Sequence, residues 1–143
     1  MEQEKLEQIR NILKTGWNRE SSYSTELYEG SDPYSSDGQC YITARTLNYI
    51  FGWDIIHLRN SDYNHYWNKL KDGTELDFTS DQMGGDGYHP IDEMKGKGKP
   101  RIFKSIDQVK GLNPRLKKYI KVVKLDLLAF LPSINAGVSS EVS

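Results

Sequence analysis

The chain has 143 residues, which fits one domain, and its 19 basic and 20 acidic side chains leave a net charge of −1. That balance provides no overall attraction to nucleic acid or to an anionic membrane surface, so neither is an expected partner. A single cysteine excludes an intrachain disulfide and a cysteine-rich zinc site, and it suits a reducing cytoplasm.

Membrane association is not expected from the apolar patterning. No apolar run approaches the roughly 20 residues that a membrane span needs. The first residues are polar and do not read as a secretory signal. A cytoplasmic location is the resulting expectation.

The first part of the chain predicts two helices separated by a long loop. Apolar residues at three- and four-residue spacing predict an amphipathic helix over 2–14, ended by Gly16. Residues 18–38 have no periodicity and are rich in Ser, Tyr, Gly and Asp, a length of loop that is usually functional or disordered. Its tyrosines either pack the loop or wall a cleft. A second helix is predicted from Cys40 to about Ile50.

The middle of the chain predicts an antiparallel sheet. Residues 53–58 read as one strand. The segments 65–70 and 74–78 flank Lys71-Asp72-Gly73, and Asp-Gly between two alternating segments is a strong hairpin signal. A short helical turn is expected over 79–83.

The last part of the chain predicts a surface excursion, a helix and a tail. Residues 84–99 are rich in Gly and Lys and resemble an exposed loop. The last helix is predicted from Asn113-Pro114, with Pro at its first position, to about Leu131. The expected fold is therefore one α+β domain over 1–131, with helices packed on a small antiparallel sheet, followed by a polar, disordered tail over 132–143.

The sequence is locally basic over 95–104 and again over 115–124. Residues 95–104 carry five Lys and Arg side chains and no acidic one. Such a run is usually a solvated face. The alternative is a surface that grips an acidic partner.

The residue most capable of chemistry is Cys40, at the predicted start of the second helix. The positive end of a helix dipole favours the thiolate, which is the nucleophilic form. Free N–H groups at a helix start can also bind the oxyanion that forms when a thiolate attacks a carbonyl. Alone, however, a cysteine such as Cys40 is more often a buried structural residue than a nucleophile.

A cysteine nucleophile needs a histidine in reach and a third group that orients the histidine. The predicted hairpin brings His65 and Asp77 side by side on neighbouring strands. Glu75 shares the strand face of Asp77 and could replace it. Asn68 is a weaker alternative, because it lies on the opposite face from His65.

Two further residues are candidates for a lesser role. Gln39 either neighbours the helix cap or contacts the oxyanion or substrate. Trp67 either fills the core and walls the cleft or touches the ligand directly. His57 and His89 are expected to be structural or surface residues.

The order of these segments resembles the transglutaminase-like superfamily, which includes papain-like cysteine enzymes. The matching segments are Gly38-Gln39-Cys40, His65-Tyr66-Trp67-Asn68 and Asp77-Phe78-Thr79. The resemblance implies a papain-like core, a thioester intermediate, and roles for Cys40 as nucleophile, His65 as general base and acid, and Asp77 as orienting carboxylate. The sequence departs from the superfamily in Phe78, where Pro is common, and in lacking an evident upstream oxyanion Gln.

The sequence is also similar to a small bacterial family called YunG-like. The similarity rests on Trp17, on Gly38-Gln39-Cys40-Tyr41-Ile42-Thr43-Ala44, and on the run from His65 to Thr79. We therefore expect a cysteine hydrolase or acyltransferase that acts on an amide or acyl bond of a protein, peptide or small molecule, without a cofactor or metal. One alternative is an inactive scaffold that binds a protein or small ligand; another is a metal-dependent hydrolase using Cys40, His65 and an acid.

Overall fold

The computed structural model describes residues 1–18, 38–104, 114–132 and 134, and the account below concerns those residues. α-Helices, strands and a short 3₁₀ turn follow one another within these ranges. In order these are α1 Gln3–Gly16, α2 Cys40–Phe51, β1 Asp54–Arg59, β2 Asn64–Lys69, β3 Glu75–Leu76, the 3₁₀ turn Ser80–Met83, α3 Asp92–Lys95, β4 Arg101–Phe103 and α4 Pro114–Leu128. The predicted α+β class is confirmed.

The four strands form one antiparallel sheet in the order β3-β2-β1-β4. The β1–β2 pair is the longest and sets Leu58 opposite His65 and Ile56 opposite Trp67. Cross-strand partners share a face, so His65 and Trp67 point to the same side of the sheet. The alternation predicted for β2 is thereby confirmed.

Two apolar clusters hold the fold together. In the larger one, the apolar faces of α1, α2 and α4 pack together with residues of β3 and the segment after it. An amphipathic helix is stable only when its apolar face is buried against another element in this way. Its buried members include Leu6, Ile9, Leu13, Ile42, Leu47, Leu76, Phe78, Leu116, Tyr119 and Val123. The smaller cluster joins Ile56, Leu58, Trp67 and Met94. His65 belongs to the strand face of this smaller cluster.

The exit of α1 is fixed by close packing against α4 and by two buried hydrogen bonds. A Cβ atom on Gly16 would lie 2.6 Å from the Tyr119 ring, so this position requires glycine. The Tyr119 hydroxyl donates to the Leu13 carbonyl at 2.9 Å, and Trp17 Nε1 donates to Thr43 Oγ1 at 2.9 Å. Because Thr43 lies on α2, these contacts set the position of the helix that begins at Cys40.

The structure corrects the sequence prediction in three places. The predicted strand 74–78 is only the two-residue β3, because the Asp77 N–H donates to the Tyr88 carbonyl at 2.7 Å instead of extending the ladder with β2. The expected exposed loop 84–99 contains α3, whose Met94 is 0% exposed and completes the smaller cluster. Edge strand β4 was not predicted at all. Its pairing with β1 has little sequence signal, because β4 is only three residues long and directly follows Lys99-Pro100.

Several sequence predictions concern residues outside the described ranges. They include most of the loop 18–38, the Asn113 cap and most of the tail 132–143. Within the described residues, no helix is both long and apolar enough to cross a membrane.

Candidate functional site

Cys40 is the first residue of α2. The turn before it depends on Gly38, whose φ of 70° is the left-handed conformation that glycine adopts most easily. The first α2 ladder bond runs from the Thr43 N–H to the Gln39 carbonyl at 3.0 Å. The N–H of Cys40 therefore precedes the helical ladder, as the first amides of any helix do. The side chain is buried, with 9% of the residue exposed.

His65 and Asp77 form a short, almost fully buried hydrogen bond. His65 Nε2 lies 2.7 Å from Asp77 Oδ2, and the two side chains are 3% and 1% exposed. Asp77 follows the last residue of β3, and the β2–β3 register sets Asn68 opposite Leu76. Asp77 thus lies just beyond the end of the β2–β3 ladder and contacts His65 diagonally across the two strands. Side chains in diagonal positions on neighbouring strands are close enough to interact.

The other carboxylate oxygen of Asp77 is held by Thr79. Asp77 Oδ1 accepts from the Thr79 N–H at 3.2 Å and from the Thr79 hydroxyl at 3.1 Å. A buried carboxylate needs donors on both oxygens to offset its lost hydration. The Asp-Phe-Thr segment therefore acts as a local clamp that keeps Asp77 aimed at His65.

The charge environment of His65 favours its protonated form. Burial is the largest single influence and lowers the pKa, but the Asp77 carboxylate, its hydrogen bond and a hydrogen bond with Cys40 together raise the pKa of His65 to about 10. Asp77 engages Nε2, so Nδ1 is the ring nitrogen that remains for another partner. The three residues singled out from the sequence thus lie close together, with the imidazole hydrogen-bonded to the carboxylate and its pKa also raised by the thiol.

A fourth residue of this cluster, Gln82, was missed by the sequence reasoning. Its Nε2 lies 3.2 Å from His65 Nδ1, and its Oε1 accepts from the Gly38 N–H at 3.1 Å. Gln82 therefore connects the turn before Cys40 with the histidine ring. It comes from the 3₁₀ turn Ser80–Met83, and no sequence signal links that segment to Gly38, 44 positions away.

The alternatives for the orienting acid are occupied elsewhere. Glu75 Oε1 accepts from Trp67 Nε1 at 2.7 Å, and its other oxygen is 3.5 Å from Lys95 Nζ. Asn68 donates to the Ala44 carbonyl at 3.0 Å, on the α2 side of the sheet. The partner of His65 is therefore Asp77.

The two residues assigned lesser roles are both buried. Gln39 is 0% exposed, and its amide nitrogen donates to the Asn18 carbonyl at 2.9 Å, which ties the end of α1 to the start of α2. The ring centroids of Trp67 and His65 are 6.1 Å apart and their planes are inclined by 26°, so Trp67 packs beside the His65 ring. Gln39 thus fixes the segment before Cys40, and Trp67 packs next to His65.

The remaining histidines lie apart from this cluster. His57 stacks on Tyr66 with ring centroids 4.0 Å apart and contacts Asn64. His89 pairs with Asp86 on the surface at 2.8 Å. Among the side chains that the structure describes, no three His, Cys, Asp or Glu residues are grouped so as to hold a metal ion.

The basic segment 95–104 is partly neutralised by acids from other elements. Besides Lys95 with Glu75, Lys104 Nζ lies 3.0 Å from Asp54 Oδ2 on β1. The segment thus docks on the sheet at both of its ends, in addition to presenting charge to solvent.

Comparison with known proteins identifies the family. The sequence model of the family described as YunG protein matches residues 5–121, most of the chain and every residue of the cluster. The chain belongs to the YunG family. An uncharacterized protein YunG from Bacillus subtilis (strain 168) is 34% identical over 78 residues, which cover 54% of this chain and 63% of that relative. No solved structure matches the chain.

Proposed function

We propose that this YunG-family protein is a cysteine enzyme, a hydrolase or acyltransferase that acts on an amide or related acyl bond. Cys40 is the nucleophile, His65 the general base and acid, and Asp77 the orienting carboxylate. The observation that carries the proposal is the buried 2.7 Å bond between His65 Nε2 and Asp77 Oδ2, with Cys40 interacting with the same ring from a helix start.

The tautomer of His65 supports this assignment. A carboxylate only accepts, so Asp77 requires a hydrogen on Nε2. In the neutral ring Nδ1 then carries a lone pair and can take the proton of the Cys40 thiol. The imidazolium that results is stabilised by Asp77, which is the function of the third member in Ser-His-Asp and Cys-His-Asn sites.

The reaction follows from these positions. The Cys40 thiolate attacks the acyl carbon, a C–S bond forms, and the carbonyl electron pair moves to oxygen. The C–N or C–O bond then breaks, and the leaving group takes the proton from His65 Nδ1. Water or an amine, deprotonated by His65, attacks the thioester and releases Cys40. Two modest barriers replace one high barrier.

The fold is compatible with a transglutaminase-like or papain-like core, and we extend the proposal to that ancestry. Support comes from a cysteine at the start of a helix that packs against an antiparallel sheet, with the histidine and the acid on adjacent strands. The pattern of roles is what recurs among such enzymes, and fold alone would not define a reaction.

The proposal is tested by acyl transfer to the sole cysteine. Purified protein is mixed with p-nitrophenyl acetate, release of nitrophenolate is followed, and the acyl group is located by mass spectrometry. We expect an acetylated Cys40 in the wild type and none in Cys40→Ser. His57→Gln is the matched control, because it removes a histidine outside the cluster and should acylate normally.

A different result would contradict the enzyme assignment. If the wild type acylates no faster than a denatured sample, and His65→Gln behaves like the wild type, the cluster has no nucleophilic function. The buried His65–Asp77 bond would then be structural, as in an inactive scaffold that binds a partner.

A further inference from the structure

We propose that Gln82 is the side-chain donor of the oxyanion hole, paired with the backbone N–H of Cys40. The inference deepens the proposed function and rests on it. It fills the gap that the sequence left open, because the superfamily pattern has a glutamine ahead of the cysteine and this chain has no evident one. Here the donor comes from a turn that follows the acid of the triad.

The orientation of the Gln82 amide is fixed by its two partners. The Gly38 N–H can only donate, so the atom 3.1 Å away must be the amide oxygen. The amide nitrogen consequently faces His65 Nδ1 at 3.2 Å. This nitrogen has two hydrogens, and the second has no acceptor among the described residues.

These contacts hold the amide nitrogen beside His65 and tie Gln82 to the turn before Cys40. Its own oxygen is fixed to the residue two positions before Cys40, and its nitrogen lies beside the ring atom that exchanges a proton with Cys40. The Cys40 N–H lies at the start of α2, ahead of the helical ladder. A backbone N–H and a side-chain amide near a nucleophile are the donors that stabilise a tetrahedral oxyanion.

Proton transfer would release the donor at the moment it is needed. In the thiol–imidazole form of the pair, Gln82 donates to the lone pair of Nδ1. When Nδ1 takes the thiol proton, it becomes a donor and can no longer accept from Gln82. Both amide hydrogens are then available to the oxyanion that forms as the C–S bond is made. A contact that strengthens only in the transition state accelerates the reaction without tightening substrate binding.

This geometry also reconciles two observations about His65. The Gln82 contact describes a ring whose Nδ1 accepts, whereas the raised pKa of His65 describes a ring whose Nδ1 carries a proton. In the proposed mechanism they are the states of the ring before and after it takes the Cys40 proton. Gln82 stabilises the first form and is released by the second.

The turn that carries Gln82 is braced from α1. The Arg10 guanidinium donates to Asp81 Oδ2 at 2.8 Å and to the Gly87 carbonyl at 3.2 Å. It also lies 5.6 Å from the Trp17 ring centroid, a cation–π distance. An oxyanion donor must be held in place before the charge develops, and Arg10 supplies that support.

Two reactions of the same cysteine separate the proposed role from a structural one. Alkylation by iodoacetamide needs the thiolate but forms no oxyanion, whereas acylation by p-nitrophenyl acetate needs both. In Gln82→Ala and Gln82→Met, we expect alkylation to be at least as fast as in the wild type, because both variants lose a contact that favours the thiol form, and acylation to fall on the order of 10²-fold. Gln82→Met keeps the length of the side chain without adding a charge beside His65, so it tests the same donor if the alanine variant unfolds. Gln8→Ala, on the exposed side of α1, is the control.

Each other outcome overturns the inference in a distinguishable way. Equal losses of alkylation and acylation would make Gln82 a positioning residue for the Cys40–His65 pair. Normal acylation in both variants would leave the proposed function intact and remove Gln82 from the oxyanion hole. Absence of acylation in the wild type would remove the proposed function itself, and the role of Gln82 with it.

Discussion

Replacing Asp77 with asparagine should invert the tautomer of His65 while preserving the shape of the buried side chain. Thr79 donates twice to Oδ1, so the amide oxygen of the variant would take that side. Its Nδ2 would then face His65 Nε2, which must become an acceptor. The ring hydrogen would move to Nδ1, where it can no longer receive the Cys40 proton.

The expected effect on Cys40 alkylation follows from the groups that raise and lower the pKa of His65. Raising the pKa of His65 from 6.5 to about 10 corresponds to about 5 kcal/mol of preference for the charged form. Burial acts in the opposite direction, so loss of the carboxylate should lower the pKa of His65. Less of the imidazolium would then be present near neutral pH to stabilise a thiolate at Cys40. We expect alkylation to slow at least about ten-fold.

The same substitution should lower stability in a pH-dependent way. A group whose pKa is raised on folding stabilises the protein fully below its unfolded pKa, and that contribution disappears as the pH rises through the folded pKa. For His65 the window therefore runs from 6.5, the ordinary pKa, to about 10, the pKa in the fold. In the acid half of this window, Asp77→Asn should cost about 3 kcal/mol, typical of breaking a buried pair. The difference from wild type should shrink toward its alkaline end.

Two measurements test this reasoning. Iodoacetamide labelling of the sole cysteine gives a pH–rate profile, and urea unfolding at matched pH values gives the free energy of unfolding. Asp54→Asn is the matched control, because Asp54 pairs with the exposed Lys104 and lies outside the cluster. If Asp77→Asn labels at the wild-type rate near neutrality and its stability deficit does not vary with pH, the His65–Asp77 pair does not activate Cys40.

Three further substitutions probe the supports of the site. Thr79→Val removes the hydroxyl that holds Asp77 and should cost about 1–2 kcal/mol in urea unfolding, with slower Cys40 labelling; an unaltered labelling profile would contradict the clamp. Gly16→Ala places a methyl group 2.6 Å from the Tyr119 ring and should destabilise the protein by about 1–3 kcal/mol, measured by thermal melting, whereas a stability gain would contradict the close packing there. Trp17→Phe leaves the Thr43 hydroxyl without its indole donor and should lower the unfolding free energy by about 1 kcal/mol or more. The double variant Trp17→Phe/Thr43→Val should lose less stability than the sum of the two single losses, because both substitutions remove the same hydrogen bond.

The amino-acid sequence by itself determined the three long helices, the hairpin, and the positions of Cys40 and His65 at a helix start and on a strand. Periodic apolar residues gave α1, α2 and α4, and the Asp72-Gly73 turn gave the hairpin that brings His65 near Asp77. These features depend on neighbours a few positions apart, so the repeat of a helix or a strand records them directly.

Only the tertiary structure decided which acid pairs with His65 and what surrounds the pair. Glu75 and Asp77 share a strand face, and the choice between them rests on Trp67 engaging Glu75 while Thr79 holds Asp77. The Gln82 contact, the buried Met94 and strand β4 likewise depend on segments distant in the chain meeting at the sheet. Hydrogen-bond partners and edge pairing are satisfied wherever the folded chain brings the groups together, and sequence periodicity carries no record of such meetings.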